Sequence, residues 1–201
     1  AYGGNDTTLV SQYGMEPTFA KSIYDSYMKG FSGISKFQEK EKKFVVNNGY
    51  ILISPVTGHK SYWWDWKYWK KVQQSFDSKF WEEYKAYHKG TGDNIAKKVS
   101  THFKAKTKYE KNACNSPLQG SGAIIFKIFC KMLFDWVVDN GYFNVIKFCI
   151  PVHDELNIEC PKELQDIADA KLGEVMREAA KPFLKTLVLD SDSEISDHWV
   201  H

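Results

Sequence analysis

Apolar side chains recur every three or four residues along much of the chain, and this spacing predicts a largely helical protein. Helix-starting residues such as Pro17 and helix-ending residues such as Gly30 mark the limits of these stretches. The predicted helices cover residues 17–28, 33–46, 94–112, 116–139 and 161–180. The apolar positions expected to face the core in them are Phe19, Ile23, Tyr24, Tyr27, Ile34, Phe37, Phe44, Ile125, Ile128, Phe129, Met132, Leu133, Trp136, Val137, Leu164, Ile167, Leu172, Val175 and Met176.

Shorter runs of β-branched and aromatic residues predict two antiparallel hairpins and one further strand. The first hairpin joins residues 50–54 to residues 59–63 through a turn that contains Pro and Gly. The second joins residues 145–152 to residues 156–160, and the last strand is expected at residues 186–189. Antiparallel hairpins combined with long helices predict an α+β fold.

The second hairpin has a charged tip, His153, Asp154 and Glu155. Such turns usually carry Gly or Asn, because these residues adopt positive φ easily. Side chains alternate along a strand, so Asp154 and Glu155 point to opposite faces, yet both can reach a cation at the tip. The pattern suggests a metal site with one main ligand and one helper. The alternative is a solvated turn whose acidic residues bond to their own backbone.

A capping motif is predicted to open the longest apolar helix. Ser116 suits the N-cap, Pro117 the first helical position, and Gln119 the third, where its side chain completes a capping box. Small residues on the first turns, including Gly122, would let another backbone approach closely. Gly141 is expected to end this helix in the left-handed conformation.

Residues 62–87 contain eleven aromatic residues, five of them tryptophans, interleaved with lysines. Exposed aromatic rings beside lysines can hold single-stranded nucleic acid. The favoured interpretation is a helical insertion in which these rings form a small core.

Charge is divided unevenly along the chain, although the net charge is only +2. Residues 1–111 carry 19 lysines and 11 acidic residues, whereas residues 112–201 carry 7 lysines, one arginine and 14 acidic residues. A polyanion would be attracted to the first part and cations to the second, unless the lysines only form solvated surface. Arg177 is the only arginine, so phosphate contacts must depend on lysine, which acts as a point charge.

Composition excludes several classes of protein. With 43% hydrophobic and 26% charged residues the chain is globular rather than disordered, and no apolar run reaches the length of a membrane span. The four cysteines lie in apolar segments without a Cys-x-x-Cys pair, which predicts reduced core residues of an intracellular protein. No secretory signal opens the chain. Because the first residues lack an initiator Met, we expect a fragment of a longer protein.

Two motifs in this order resemble a known family. The segment Asn-Ser-Pro-Leu-Gln-Gly at residues 115–120 is followed, after one helix, by Val-His-Asp-Glu-Leu at residues 152–156. This pair resembles the motifs of A-family DNA polymerases, the group that is similar to bacterial polymerase I. The likeness extends over nearly the whole chain, and Tyr2 and Gly3 resemble the end of the family's fingers helix motif.

The resemblance implies an antiparallel palm sheet with a metal-binding hairpin, packed by long helices, plus a helical remnant of the fingers. Residues 1–48 would form the C-terminal part of the fingers and residues 49–201 the palm, with an aromatic, lysine-rich insertion at about 61–105. The family's first palm motif, with the other metal-binding Asp, is expected upstream of this chain. The triphosphate-gripping positions of the fingers helix are expected there too.

By the same resemblance, His153, Asp154 and Glu155 form the family's third palm motif. Asp154 would bind catalytic Mg²⁺ near the primer 3′ end, Glu155 would assist, and His153 would lie beside the primer backbone. Two Mg²⁺ ions are implied, the second on a carboxylate upstream. The residues implied to touch DNA or nucleotide are Tyr2, Gly3, Lys111, Asn115 and Gln119.

Each of these contacts has an implied purpose. Asn115 and Gln119 would donate to the minor groove of the newly formed pair, where the acceptors of every correct pair are alike. Tyr2 would stack near the templating base. Lys111 stands where the family has Arg, which keeps the charge and loses the bidentate fork.

The implied activity is template-directed DNA synthesis, in which a primer 3′ hydroxyl attacks the α-phosphate of a deoxynucleoside triphosphate with two Mg²⁺ ions at the attacking and leaving oxygens. The implied partners are primer-template DNA, deoxynucleoside triphosphates and the remainder of the polymerase chain, in the cytoplasm of a bacterial or phage-infected cell and without a membrane. Because one carboxylate position is missing, we expect the 201 residues alone to bind DNA weakly and not to polymerise.

Three alternatives stay open. A single-subunit RNA polymerase of phage type shares the palm. Those enzymes are expected to have His-Asp-Ser at this hairpin, so Glu155 favours DNA synthesis. A non-catalytic nucleic-acid-binding module would keep the palm fold and bind DNA in a salt-dependent way. A metal-free α+β domain would have no affinity for DNA.

Overall fold

Most of the chain is helical, as the apolar spacing predicts. The structure is a computed structural model and describes residues 6–88 and 96–198. The helices are α1 (Asp6–Tyr13), α2 (Pro17–Gly30), α3 (Ser32–Asn48), α4 (Trp66–Gln74), α5 (Ser78–His88), α6 (Ala96–Asp139) and α7 (Gln165–Ala180), with a 3₁₀ turn at Lys162–Leu164. The strands are β1 (Tyr50–Ser54), β2 (His59–Tyr62), β3 (Lys147–Val152) and β4 (Glu155–Glu159).

The strands of the described chain form two separate antiparallel pairs, β1 with β2 and β3 with β4. This combination of helices and antiparallel hairpins confirms the α+β fold. Among the described helices, none combines the length and the apolar character that a bilayer-spanning helix needs.

The chain divides into two compact units, Ala1–Leu118 and Gln119–His201. We refer to them as the first and the second unit. The division falls inside α6, close to Pro117. The boundary between fingers and palm expected at residues 48 and 49 comes from the family resemblance alone and stays a prediction.

In the first unit, α2 leaves much of its apolar surface exposed. It begins where the Glu16 side chain accepts hydrogen bonds from backbone N–H groups of the first turn. Ala20 is the residue of α2 that is buried, whereas Phe19, Ile23 and Tyr27 are 59%, 37% and 38% exposed. The prediction that these three face the core is wrong, because the contacts of α2 with α1 and α3 cover only the side that carries Ala20.

The junction between α3 and β1 depends on Gly49. The helix ends at Asn48 because Gly49 adopts the left-handed conformation, with φ 74° and ψ 18°, and its N–H donates to the Val45 carbonyl at 2.9 Å. The Gly49 carbonyl accepts from the Trp63 N–H at 2.8 Å. The Trp66 ring occupies the space beside the glycine, so a Cβ there would lie 2.6 Å from Trp66 Cδ2.

The first hairpin has one buried and one exposed strand. Tyr50 pairs with Tyr62, and the register confirms the predicted hairpin between residues 50–54 and 59–63. Ile51 of β1 is 2% exposed, whereas every residue of β2 is exposed. The Trp63 ring stacks on Tyr109 of α6 at a centroid distance of 4.4 Å. The core of this unit contains Val45, Ile51, Trp63, Trp69 and Ala113.

The aromatic residues between 62 and 87 are divided between core and surface. Trp69 is buried, and Trp66 is half-buried and donates from Nε1 to the Val46 carbonyl at 2.8 Å. Trp64 and Tyr68 are 89% and 63% exposed. Rings that contact one another in and beside α5 belong to Phe76, Phe80, Trp81 and Tyr84. These contacts confirm a helical segment with its own small aromatic core.

His102 lies inside this aromatic core and is only 3% exposed. Its ring centroid is 4.6 Å from that of Trp69 and 5.1 Å from that of Phe76. Its Nδ1 atom has no hydrogen-bond partner among the described residues. Burial, and to a lesser extent the charge of Lys106, lowers the pKa of His102, so the ring is neutral at pH 7.

α6 (Ala96–Asp139) is one uninterrupted helix, and Pro117 lies inside it. The predicted break with a capping box at Ser116, Pro117 and Gln119 is therefore wrong. Pro117 has no N–H to donate to the carbonyl of Ala113, which usually ends a helix. Here Ala113 and Cys114 are 1% and 2% exposed, and this burial holds the preceding turn helical against the local preference.

The second unit is built on the C-terminal part of α6. Ile125, Phe129, Leu133 and Val137 are buried at four-residue spacing, as predicted. Partly buried residues that pack beside them include the expected Ile128, Met132 and Trp136. The helix ends as expected, because Gly141 follows it with φ 73°.

α7 packs against this core with a register that differs by one residue at its start. Ala168, at 2% exposure, joins Val137 and Ile146 in the core, while the predicted core residue Ile167 is 51% exposed. The prediction fails at Ile167 because the first turn after Pro161 is a 3₁₀ turn, which advances the chain by a different angle per residue.

The second hairpin forms as predicted. Lys147 pairs with Glu159 at its open end and Val152 with Glu155 at its tip. The register shifts between Phe148 and Ile150, so a β-bulge lies at this point of β3.

The predicted strand at residues 186–189 is wrong. This segment has no regular structure, and Leu187 and Val188 are 71% and 79% exposed. A strand needs a neighbour that satisfies its backbone groups, and no described strand pairs with this one. Instead Arg177 of α7 forms an ion pair with Asp190 at 2.9 Å, which holds the segment by a side chain.

The cysteines are free, and three of them fit the prediction of reduced core residues. Cys114 is buried, Cys130 and Cys160 are half-buried, and burial raises the pKa of all three thiols. Cys149 is exposed, against the prediction, because it lies at the β-bulge.

We expect Gly49→Ala to destabilise the protein by about 2–5 kcal/mol. This figure is the sum of two costs, the left-handed backbone of a non-glycine residue and the clash of its Cβ with the Trp66 ring. The matched control is Gly58→Ala, where φ is +70° and nothing lies within 4 Å of a Cβ. This control should cost only about 1–2 kcal/mol. Urea unfolding of both variants measures the difference, and equal losses would contradict the role of the Trp66 contact.

Folding stability should fall as the pH is lowered through about 6.5, the ordinary pKa of histidine. The pKa of folded His102 is lowered, so the unfolded chain binds a proton there that the folded chain does not. One such proton changes the free energy of unfolding by up to about 1.4 kcal/mol per pH unit. His102→Phe should flatten this dependence and His59→Gln, at an exposed histidine, is the control; an unchanged slope in His102→Phe would contradict the assignment.

Candidate functional site

The tip of the second hairpin brings the three predicted residues together. Because Val152 pairs with Glu155, the turn consists of His153 and Asp154, and Glu155 is the first residue of β4. The side chains of His153, Asp154 and Glu155 are all exposed. Both carboxylates therefore lie where a ligand from solution can reach them.

The turn is strained at His153. Its φ of 54° makes it the one non-glycine residue with positive φ in the described chain. Positive φ at the first position of a tight hairpin turn is usually adopted by Gly, and here His153 adopts it. Left-handed backbone costs an ordinary residue about 1–2 kcal/mol, and such strain is found mainly at functional sites.

The donor set at the tip fits a hard divalent cation. Carboxylate oxygens are the ligands that Mg²⁺ prefers. No ion pair or hydrogen bond occupies the Asp154 side chain within residues 6–88 and 96–198. Asp154 and Glu155 thus present adjacent anionic groups at the end of a two-stranded hairpin.

The hairpin alone does not make a closed metal site. In the described part of the chain, no group of three or more His, Cys, Asp or Glu side chains converges on one point. Mg²⁺ usually keeps several waters and needs only one or two protein carboxylates. The tip can therefore supply part of a coordination shell that is completed by water, substrate or other protein groups.

A second set of predicted residues lies on α6 in the first unit. Lys111 is exposed and Asn115 is half-buried, one helical turn apart. Ala113, between them in sequence, faces the core with Tyr109. Since each helical residue turns the chain by about 100°, Lys111 lies on the side of α6 away from Tyr109.

Gln119 is exposed in the second unit and lies inside α6. Because the helix does not start there, its side chain has no capping position to fill. The structure thereby removes the simplest structural role for this residue. The remaining two predicted contact residues, Tyr2 and Gly3, lie outside the described residues.

Two exposed aromatic residues, Trp64 and Tyr68, were not singled out from the sequence. Within the aromatic segment they alternate with Lys67 and Lys71 at spacings of three, one and three residues. That spacing places Lys67, Tyr68 and Lys71 along one side of α4, and it was a usable signal for them, whereas Trp64 lies in the turn before the helix. It was masked because the neighbouring Trp63, Trp66 and Trp69 give the whole segment a core-like composition.

The chain is similar to known proteins over most or all of its length. A family model described as DNA polymerase family A matches residues 1–201. DNA polymerase I of Aquifex aeolicus (strain VF5) is 33% identical over 88 residues, which are 44% of this chain and 15% of that protein. DNA polymerase I of Bacillus subtilis (strain 168) is 24% identical over 179 residues, which are 89% of this chain and 16% of that protein. The chain thus spans only a small part of these relatives.

Among solved structures, the POL domain of Pol1 from M. smegmatis in complex with DNA primer-template and dNTP has a similar fold. The TM-score is 0.63 at 22% sequence identity, and the match covers 89% of this chain and 25% of that one. At this identity the likeness concerns the fold. Since the family model matches every residue from 1 to 201, the chain belongs to DNA polymerase family A.

Proposed function

We propose that this protein carries out template-directed DNA synthesis and transfers a nucleotidyl group from a deoxynucleoside triphosphate to a primer 3′ hydroxyl. The observation that carries the proposal is the pair of exposed carboxylates, Asp154 and Glu155, at the tip of a strained hairpin in a chain of DNA polymerase family A. The partners are primer-template DNA, deoxynucleoside triphosphates and the remainder of the polymerase chain. The activity is assigned to the cytoplasm of a bacterial or phage-infected cell.

Asp154 is the main metal ligand in this proposal, and Glu155 assists it. Asp154 lies in the turn itself, where its carboxylate has no competing partner among the described residues. Glu155 starts β4 and pairs with Val152. When bound, two Mg²⁺ ions would stabilise the attacking and leaving oxygens of an in-line displacement. A further carboxylate is assigned to a part of the protein outside these 201 residues.

His153 is assigned a positioning role beside the primer backbone. Its positive φ turns the chain so that Asp154 occupies the outer end of the hairpin. A glycine would adopt this conformation at lower cost, so the presence of an imidazole here favours a use for the side chain. Contact with a backbone phosphate suits an exposed imidazole with two ring nitrogens.

Lys111, Asn115 and Gln119 are assigned to the DNA, as are Tyr2 and Gly3. Lys111 would neutralise a phosphate by its charge. Asn115 and Gln119 carry amide donors that suit the minor-groove acceptors, which are alike for every correct pair. Tyr2 would stack near the templating base. Residues 1–48 and 49–201 are assigned to fingers and palm, with the insertion at about 61–105.

We expect Asp154→Asn to lower Mg²⁺-dependent primer extension about a thousandfold, because metal ligation contributes several kcal/mol to the transition state and each 1.36 kcal/mol changes the rate tenfold. Glu155→Gln should cost less, about 10- to 100-fold. Binding of primer-template should be retained in both variants. The measurement uses the longest protein that contains these 201 residues.

The matched control for the loss of a carboxylate is Asp192→Asn, at another exposed position of the second unit. If Asp154→Asn and Asp192→Asn both extend primers as the wild type does, the hairpin is structural and Asp154 is not the metal ligand. If neither the variants nor the wild type extends primers, the protein is a nucleic-acid-binding module instead. Preferential use of ribonucleotides would favour an RNA polymerase.

We expect His153→Gly to stabilise the fold and to lower activity. Relief of the left-handed conformation gains about 1–2 kcal/mol, and the added freedom of the unfolded glycine returns about 0.5–1 kcal/mol of that. His153→Asn, which tolerates positive φ and lacks the imidazole, separates the two effects. Urea unfolding and primer extension measure them, and full activity in both variants would exclude a role for the imidazole.

A further inference from the structure

A stripe of alternating aromatic and basic side chains lies on the surface of the first unit. It consists of Trp64, Lys67, Tyr68 and Lys71, and all four side chains are exposed. The last three lie on α4, and Trp64 lies in the turn two residues before that helix. Trp64 is 89% exposed and Tyr68 is 63% exposed, which are large apolar areas to leave in water.

The packing of α4 does not need these rings. The inner side of the helix is filled by Trp66 and Trp69, whose indole N–H groups donate to the Val46 carbonyl and the Asp65 carboxylate. Trp69 belongs to the core of the unit, and Trp66 packs against it. The aromatic residues that stabilise the helix are thus the two inner ones, and the two outer ones need another explanation.

The charge of the stripe favours an anionic ligand. α4 contains three lysines and no acidic residue. Asp65 precedes the helix, and its carboxylate accepts the hydrogen bond from Trp69. Lys67 and Lys71 form no ion pair within residues 6–88 and 96–198, so their charges are not neutralised by the described chain.

Ring contacts also connect Trp64 to the first hairpin. The Trp64 ring centroid is 6.0 Å from that of Tyr62, which is 6.0 Å from that of Tyr50. Lys60, on the same exposed strand as Tyr62, lies over the Tyr50 ring at 4.6 Å. The aromatic surface therefore continues from Trp64 to Tyr62 and to the half-buried Tyr50, with Lys60 beside it.

We propose that Trp64, Lys67, Tyr68 and Lys71 form a binding site for single-stranded nucleic acid, in which the rings stack on unpaired bases and the lysines contact phosphates. Separate ring platforms with point charges between them suit a flexible strand, and every base offers a face for stacking, so the site is blind to sequence. The choice of ligand rests on the proposed function, because an enzyme that copies a template must hold unpaired template.

The first test is binding of a fluorescein-labelled oligo-dT by fluorescence anisotropy, with the longest protein that contains these residues. Trp64→Ala with Tyr68→Ala should weaken binding at least about 25-fold, because each of the two stacked bases contributes a factor of about 5 to 150. The matched control is Tyr13→Ala, at an aromatic residue that is 69% exposed in the same unit and has no lysine near it in sequence. The control should bind like wild type.

Two further variants test the chemistry of the contact. Trp64→Phe should keep most of the affinity. Oligo-dT should quench the tryptophan fluorescence of this variant less than that of the wild type, because the indole on which a base stacks is gone. Lys67→Gln with Lys71→Gln should reduce the slope of log K against log salt by about 1.4, which corresponds to two phosphates of a single strand. Lys40→Gln, on exposed α3 surface, is the control for a lost charge.

Three results would overturn the proposal: oligo-dT affinity unchanged in the double aromatic variant, equal loss of affinity for a blunt duplex, or binding of phosphatidylglycerol vesicles through the stripe without any effect on oligo-dT. Asp154→Asn keeps this test separate from the proposed function. If Asp154→Asn does not impair extension while the stripe variants lose oligo-dT, the proposed catalytic role fails and the binding site stands. If Asp154→Asn impairs extension while the stripe variants bind oligo-dT like the wild type, the proposed catalytic role stands and the binding site fails.

Discussion

Burial of apolar residues on α6 is the interaction on which both compact units depend. In the first unit Ala105, Tyr109 and Ala113 of this helix pack with the core to which α3, β1, Trp63 and α4 contribute. In the second unit Ile125, Phe129, Leu133 and Val137 form the corresponding row. Each row repeats every four residues, which is the spacing that keeps side chains on one slowly turning side of a helix. The same helix has three of the predicted contact residues outside these rows. Lys111 and Gln119 are exposed, and Asn115 is half-buried.

The candidate site follows a different rule from the core. The core residues of α6 agree with local preference, whereas His153 adopts a backbone conformation that its side chain disfavours. Local backbone preference and the observed turn are therefore in conflict at one residue of the tip. Strain of this kind persists only where the surrounding structure enforces it, and here the paired strands on both sides do so.

Much of the second unit could be predicted from the sequence. The row from Ile125 to Val137 has an unambiguous helical period, and the charged tip was marked by the absence of Gly where positive φ was needed. The metal-binding role of Asp154 stays a prediction. The continuity of α6 through Pro117 could not, because it depends on the burial of Ala113 by residues distant in sequence.

Other differences have equally physical causes. The 3₁₀ turn after Pro161 shifts which of Ile167 and Ala168 is buried, and local sequence does not fix that angle. Residues 186–189 have strand-like composition, but a strand also needs a partner. Trp64 and Trp66 are two residues apart and have opposite environments, so composition alone could not separate surface from core.

The β-bulge in β3 has a practical consequence for the study of the tip. It exposes the Cys149 thiol, while burial of Cys114, Cys130 and Cys160 keeps those thiols protonated and protected. Alkylating reagents should thus modify one native cysteine first, a few residues along the strand from His153. A spin label or fluorophore attached there would report on the hairpin, and on the approach of paramagnetic Mn²⁺, without an engineered residue.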